Sequence, residues 1–172
     1  MTMGLFSSKE FNSMDDLFLD QIQDLYDAEK RICDALPKMA DAASSPQLKQ
    51  AFRDHLQETM EQVNRLERVF NELGKTAQRE TCEAMKGLIQ EGEEMVNAGG
   101  DPDVKDAALI AAAQRIEHYE IAGYGTARTF AQRMGLHHIA DLLQETLNEE
   151  GAADHRLTDI AEQSVNVQAS HH

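Results

Sequence analysis

Six acidic side chains occupy positions where an amphipathic helix ordinarily carries apolar residues. In such a helix the buried stripe recurs at i, i+3, i+4 and i+7. The six are Glu29, Glu58, Glu117, Glu120, Glu150 and Asp154. Five of them fall on a predicted stripe, and Glu58 lies at a stripe edge, roughly 80° from its centre at about 100° per residue. The pattern predicts carboxylates that point into a helical core.

Carboxylates that converge in a core cannot all stay ionised unless cations accompany them, because an unpaired buried charge costs several kcal/mol. The predicted inner stripes hold almost no Lys or Arg, and Arg128 is the nearest base. Metal ions are the simplest compensation. Oxygen-rich ligands with at most one imidazole suit iron or manganese better than structural zinc, which prefers Cys and His.

Single residues of this set also have ordinary explanations. A lone Glu on a core stripe can extend to solvent or pair with a base. His55 fits either a hydrogen-bonded core histidine or a ligand, and Gln62 is equally open. Tyr124 follows Glu120 by four residues, so the two side chains are neighbours on a helix. Tyr124 is therefore predicted either to donate a hydrogen bond or an electron at the site, or simply to pack.

The elements that must position these residues are four long helices. Cap residues, Pro at first helical positions and terminal Gly predict the spans 13–43, 45–74, 101–135 and 137–162. The connection 75–100 is predicted to hold a shorter helix over 81–96. Two hairpins joined by one long crossover are the connectivity of ferritin-like bundles. We therefore predict an all-α, ferritin-like four-helix bundle with a long crossover that carries an extra short helix.

In every long helix the polar residues lie near the middle, between apolar turns, so they can meet at one level of the bundle. Residues 1–14 are predicted to be an N-terminal tail and 15–163 the bundle. Residues 164–172 are predicted to be a C-terminal tail that ends in a possible tag remnant, His171-His172.

Charge and hydropathy exclude several classes of function. The 172 residues include 31 acidic and 16 basic side chains, a net charge of −15. This charge argues against nucleic acid and anionic membranes, both of which require clustered Lys and Arg. No run of 18 apolar residues is present, and Met1–Ser13 lacks the pattern of a signal peptide. With only two cysteines, the sequence predicts a cytoplasmic protein.

Five segments resemble the YciE/YciF stress-protein family of bacterial ferritin-like proteins, over a match from about Leu5 to Ala161. The segments are 24–30 (DLYDAEK), 55–59 (HLQET), 106–114 (DAALIAAAQ), 117–122 (EHYEIA) and 145–150 (ETLNEE). The resemblance implies a ferritin-like bundle, a homodimer and a dinuclear metal centre, with iron as the expected metal and manganese as the alternative.

The sequence departs from the usual ferritin-like ligand pattern in one respect. That pattern has Glu-x-x-His on two of the helices. Here Glu61 follows Glu58 by three residues, and Ala153 follows Glu150 by three. The expected ligand set is therefore richer in oxygen and poorer in nitrogen than usual.

We hypothesise a dinuclear metal protein of the bacterial stress response that reduces or disproportionates peroxide, or handles dioxygen. Glu58 and Glu150 are the predicted bridging ligands and Glu29 and Glu117 the terminal ones. Glu120 and Asp154 complete the predicted set. No Cys-x-x-Cys pair is present, so a reductase would need an external electron donor. The alternatives are an iron-sequestering protein and a non-catalytic helical stress protein.

Overall fold

Four long helices form the body of the protein in a computed structural model that describes residues 9–172. They are α1 (Met14–Ala42), α2 (Pro46–Glu72), α4 (Pro102–Arg133) and α5 (His137–Ile160), and α3 (Glu83–Val96) lies in the connection between α2 and α4. A π-helical turn (Ala161–Val165) and α6 (Asn166–Ala169) follow α5 directly. Residues 9–172 contain no β-strand.

The predicted helix boundaries coincide with caps in the structure. The Ser13 hydroxyl accepts a hydrogen bond from the Asp16 amide at 3.1 Å, and the Ser45 hydroxyl accepts one from the Leu48 amide at 3.3 Å. Such bonds satisfy amides that have no partner within the helix. Gly74, which follows α2, has a φ of +66°, a left-handed conformation that glycine adopts without strain.

The helices pack as two hairpins. α1 packs against α2 and α4 against α5, while contacts of α2 with α5 and of α1 with α4 close the bundle. α3 lies outside the four and packs against α1 and α4. The predicted all-α four-helix bundle with a long crossover and an extra helix is confirmed.

Two apolar clusters fill the bundle, one on each side of a polar layer. One cluster contains Phe18, Leu66 and Leu143, and the other contains Ile32, Phe52 and Leu109. Along each long helix the apolar residues of one cluster give way to those of the other near mid-helix. The predicted acids lie around this changeover, so the two clusters limit access of water to the polar layer from either end of the bundle.

The chain ends differ in part from the predicted tails. The last helix does not end near Glu162 but continues through the π-helical turn to Ala169, and Val165 is buried in the core. The predicted N-terminal tail, the match beginning at Leu5 and the absence of a signal peptide concern residues that lie largely outside the described range. No helix between residues 9 and 172 is both long enough and apolar enough to cross a membrane.

Candidate metal centre

The polar layer is built by five side chains from all four long helices. They are Glu29 of α1, His55 of α2, Glu117 and Glu120 of α4, and Glu150 of α5, and all are buried. One ligand atom from each of His55, Glu117, Glu120 and Glu150 can be chosen so that all four atoms lie within 4.8 Å of one another. Donor atoms at such mutual distances can share a single metal ion.

His55 lies closest to two of the glutamates. Its Nε2 is 3.1 Å from Glu117 Oε1 and 3.8 Å from Glu150 Oε2. On the other side of the ring, Nδ1 is 3.3 Å from Glu58 Oε2. A carboxylate on one ring nitrogen fixes the orientation of the ring and leaves the other nitrogen available as a ligand.

Glu29 reaches the layer from α1 and is held by Tyr124. The Tyr124 hydroxyl donates a hydrogen bond to Glu29 Oε1, and both side chains are fully buried. Tyr124 thus donates its hydrogen bond to the glutamate of a different helix and not to Glu120, its neighbour along α4. This hydrogen bond fixes the orientation of the Glu29 carboxylate.

The remaining carboxylate oxygens of the layer are buried without hydrogen-bond partners among the described residues. They are Glu29 Oε2, Glu117 Oε2, both oxygens of Glu120 and both of Glu150. Buried polar atoms are nearly always satisfied in folded proteins. Six such oxygens at one level of one bundle require either protons shared between neighbouring carboxyl groups or a cation, which this group of residues could hold.

The acid–base behaviour of the layer reflects this crowding. Burial raises the pKa of Glu29 to about 7, although the Tyr124 hydrogen bond works in the opposite direction. Burial and the charge of Glu150 raise the pKa of Glu120 well above its usual range, and burial with the Glu117 contact does the same for Glu150.

His55 and Glu117 behave as an ion pair. Burial lowers the pKa of His55, but the charges and hydrogen bonds of Glu117, Glu58 and Glu150 together outweigh burial and raise that pKa well above its usual value. Burial raises the pKa of Glu117, whereas the positive charge of His55 lowers it, and the net shift is downward. Without metal, protons and one imidazolium take the place of cations in the layer.

The structure does not bring two of the predicted ligands into the cluster. The Glu58 side chain is 48% exposed and reaches only the outer nitrogen of His55. Asp154 receives hydrogen bonds from Gln114 Nε2 at 3.1 Å, and its other oxygen lies 3.0 Å from His118 Nε2. Four of the six predicted acids, Glu29, Glu117, Glu120 and Glu150, lie in the layer.

His55 takes a place in the layer that the sequence left undecided. Its position on the α2 stripe among other polar residues was the signal. Gln62 is also fully buried, and its Nε2 donates to Glu149 at 3.1 Å, while its Oε1 has no partner. Arg65, the base closest to this region of α2, pairs with Glu145 and Glu149 instead of with the layer.

Both the sequence and the fold of the chain match those of known proteins. A profile of the family described as "Domain of unknown function (DUF892)" matches residues 13–170. Protein YciF of Escherichia coli strain K12 is 46% identical over 158 residues, which are 91% of this chain and 95% of that protein.

Solved structures agree with this assignment. The crystal structure of the E. coli stress protein YciF matches with a TM-score of 0.87, covering 91% of this chain and 99% of that one. YcfI of Rhodopseudomonas palustris matches with a TM-score of 0.85 at 42% identity, covering 89% and 98%. A protein of Xanthomonas campestris (XCC3681) at 21% identity, with a TM-score of 0.73 and coverage of 92% and 98%, shares the fold. The predicted resemblance is confirmed: the chain belongs to the DUF892 family and is a relative of the stress protein YciF.

Proposed function

We propose that the polar layer binds two metal ions, iron or manganese, and that the protein reduces or disproportionates peroxide at this centre during stress. The observation that carries the proposal is the set of six buried carboxylate oxygens without partners. Carboxylates and one imidazole, with no thiolate, are the donors that iron and manganese accept.

The charge of the layer supports two ions rather than one. Glu29, Glu117, Glu120 and Glu150 carry four negative charges when ionised, and two divalent ions carry four positive charges. Among residues 9–172 no Lys or Arg forms an ion pair with these four, and His55 is the only cationic partner. With His55 bound as a neutral ligand, a single divalent ion would leave two buried negative charges uncompensated.

The residues divide into two groups around such a centre. One ion would be held by the four residues that converge within 4.8 Å, which are His55, Glu117, Glu120 and Glu150. The second ion would be shared between Glu29 and the carboxylates of the layer that face Glu29. A bound pair of redox-active ions would supply the electron transfer that peroxide chemistry requires.

The chain itself contributes positioning and exclusion of water. Tyr124 keeps a proton on its hydroxyl, because burial and the charge of Glu29 raise its pKa well above 10, and this proton fixes the orientation of Glu29. Glu58 would orient the His55 ring from outside the layer. A reductase of this kind would depend on an external electron donor.

Metal analysis tests the proposal directly. Protein purified without chelator and loaded with Fe(II) or Mn(II) should carry close to two ions per chain, and less than about 0.2 would contradict the proposal. The double variant Glu117→Ala/Glu150→Ala should lose both ions. Glu91→Ala on the exposed side of α3 should bind as the parent does, so it serves as the control.

Oligomeric state separates this function from iron sequestration. The family resemblance implies a homodimer, whereas iron storage requires a hollow shell of many subunits. Size-exclusion chromatography of the iron-loaded protein should give a dimer, and a shell-sized assembly would favour sequestration instead.

A further inference from the structure

A cavity of about 100 Å³ lies between α2 and α5, directly beside the polar layer. Its lining has an apolar part, two members of the layer and a rim of exposed or half-exposed residues. The apolar part consists of Ala51, Phe52 and Leu157, and the two members of the layer are His55 and Glu117. The rim consists of Glu58, Ala152, Ala153 and Arg156. The cavity therefore connects the solvent with the layer through the side of the bundle.

The small residues of α5 create this space. Ala153 follows Glu150 by three residues, the position at which the common ferritin-like pattern has a histidine. A methyl group at this position leaves open the volume that an imidazole would fill. The position that lacks the usual histidine ligand is therefore also the position at which the cavity is open.

The chemistry at the two ends of the cavity differs. Its inner residues include His55 and Glu117, which are joined by the 3.1 Å contact of Nε2 with Oε1 and leave Glu117 Oε2 buried without a hydrogen-bond partner. At the rim, Arg156 Nη2 lies 2.9 Å from Asp54 Oδ2 and connects α5 to α2. Exposed ion pairs of this kind contribute little to stability, so this pair does not close the entrance firmly.

The volume sets a narrow range of ligand sizes. A cavity of about 150 Å³ can hold benzene, and a water molecule takes up about 30 Å³ in the liquid. A space of about 100 Å³ thus has room for a whole molecule of two or three heavy atoms, whereas an aromatic ring would have to extend through the opening. Hydrogen peroxide and dioxygen fit inside it whole, and organic hydroperoxides with bulky substituents do not.

We infer that this cavity is the entry and binding site for a small oxidant of two or three heavy atoms, which approaches the metal centre beside His55 and Glu117. The inference rests on the proposed function, because it requires metal ions in the polar layer. It adds the route, the side of the bundle and the size limit of the substrate.

Azide, a linear ion of three atoms, probes this site on the iron-loaded protein. The probe variant is Ala153→Leu, which fills the cavity without removing any member of the layer. The matched control is Gly151→Leu on the same helix, where a Cβ would meet no atom within 4 Å. Metal content is measured for each protein, and azide affinity is followed by visible absorption.

Ala153→Leu should keep the metal content of the parent, raise the Kd for azide at least tenfold and slow peroxide consumption by a similar factor. Gly151→Leu should match the parent in all three measurements. Ala152→Leu at the exposed rim serves if Ala153→Leu fails to fold, and it should also weaken azide binding at least tenfold.

The outcomes are distinct. If the parent and its variants take up no metal, the proposed function is wrong and the inference falls with it. If all of them take up metal and both alanine variants bind azide as the parent does, the centre exists but its ligand enters elsewhere. Equal rates of consumption for cumene hydroperoxide and hydrogen peroxide would overturn the size limit.

Discussion

The protein buries two kinds of acid, and their surroundings differ sharply. Asp106 accepts hydrogen bonds from the backbone amides of Ser44 at 2.8 Å and Ser45 at 2.6 Å, so both of its oxygens are satisfied. The glutamates of the polar layer are equally buried, yet no N–H or O–H group of the described residues donates a hydrogen bond to either oxygen of ionised Glu120 or Glu150.

Asp27 belongs with Asp106. Its two oxygens accept from Arg79 Nε at 2.7 Å, Arg31 Nε at 2.6 Å and the Cys82 amide at 2.8 Å. It thereby anchors the start of α3 to α1, as Asp106 anchors the turn between α1 and α2 to α4. Acids whose oxygens all accept hydrogen bonds stabilise the fold, whereas buried acids without such bonds reduce its stability.

The largest change in stability is expected when an acid whose oxygens both accept hydrogen bonds is replaced. Asp106→Asn replaces one acceptor with a donor that faces a backbone amide, so the metal-free protein should lose about 3 kcal/mol of unfolding free energy. Urea denaturation measures the change. Asp141→Asn, on the exposed side of α5, is the control and should differ by less than about 0.5 kcal/mol. A loss below about 1 kcal/mol in Asp106→Asn would remove the distinction between the two kinds of acid.

Replacing a buried acid without hydrogen bonds should change stability in the opposite direction. Glu120→Gln removes, without a change in shape, a buried acid that must either stay charged or take up a proton on folding, so the metal-free protein should gain about 2 kcal/mol at pH 8. The melting temperature should rise by about 4–8 °C. The same variant should bind Mn(II) at least tenfold more weakly by calorimetry. Destabilisation of the metal-free protein would show that Glu120 already has a partner within the fold.

The pH dependence of the metal-free protein should follow the acids of the polar layer. Between pH 4.5 and 7 the folded protein holds a proton on Glu29 that the unfolded chain releases, because burial raises the pKa of this group to about 7. Stability should therefore fall as the pH rises through this window, by at most about 1.4 kcal/mol per unit for one group. His55, whose pKa is also raised, acts in the same direction above pH 6.5.

Thermal melts at pH 5.5 and 7.5 measure this trend, with Glu29→Gln as the comparison, which should reduce the slope without abolishing it, because Glu120, Glu150 and His55 keep their raised pKa values. Saturating metal should reverse it, because the ligands must lose their protons to bind. A metal-free melting temperature that increases from pH 5.5 to 7.5 would mean that the layer is stabilised in its ionised form without metal.

Much of the fold follows from local signals in the sequence. The caps at Ser13 and Ser45 and the turn at Gly74 act within a few residues, so the sequence alone locates them. The level of the polar layer is also predictable, since helical periodicity determines which face each residue occupies. Glu29, Glu117, Glu120 and Glu150 were predicted as ligands on this basis and converge in the structure.

The differences between the predicted and the observed site arise from contacts between segments that are distant in the sequence. Asp154 lies on the predicted stripe, but Gln114 and His118, 40 and 36 residues away, hold its carboxylate. Glu58 lies at a stripe edge, where a small rotation of the helix decides between core and solvent. Periodicity gives the face of a helix but not the partner that a side chain finds there.

Glu29 is intermediate between the two kinds of acid, because one of its oxygens accepts a hydrogen bond from Tyr124 and the other accepts none. Tyr124→Phe removes this one partner and should lower the stability of the metal-free protein by about 1 kcal/mol. Affinity for Mn(II) should fall about tenfold, since Glu29 loses the group that orients it. Calorimetry of Tyr124→Phe beside the parent gives both values. A metal affinity within twofold of the parent would assign Tyr124 to packing alone, and Glu29 would then be positioned by the metal rather than by the fold.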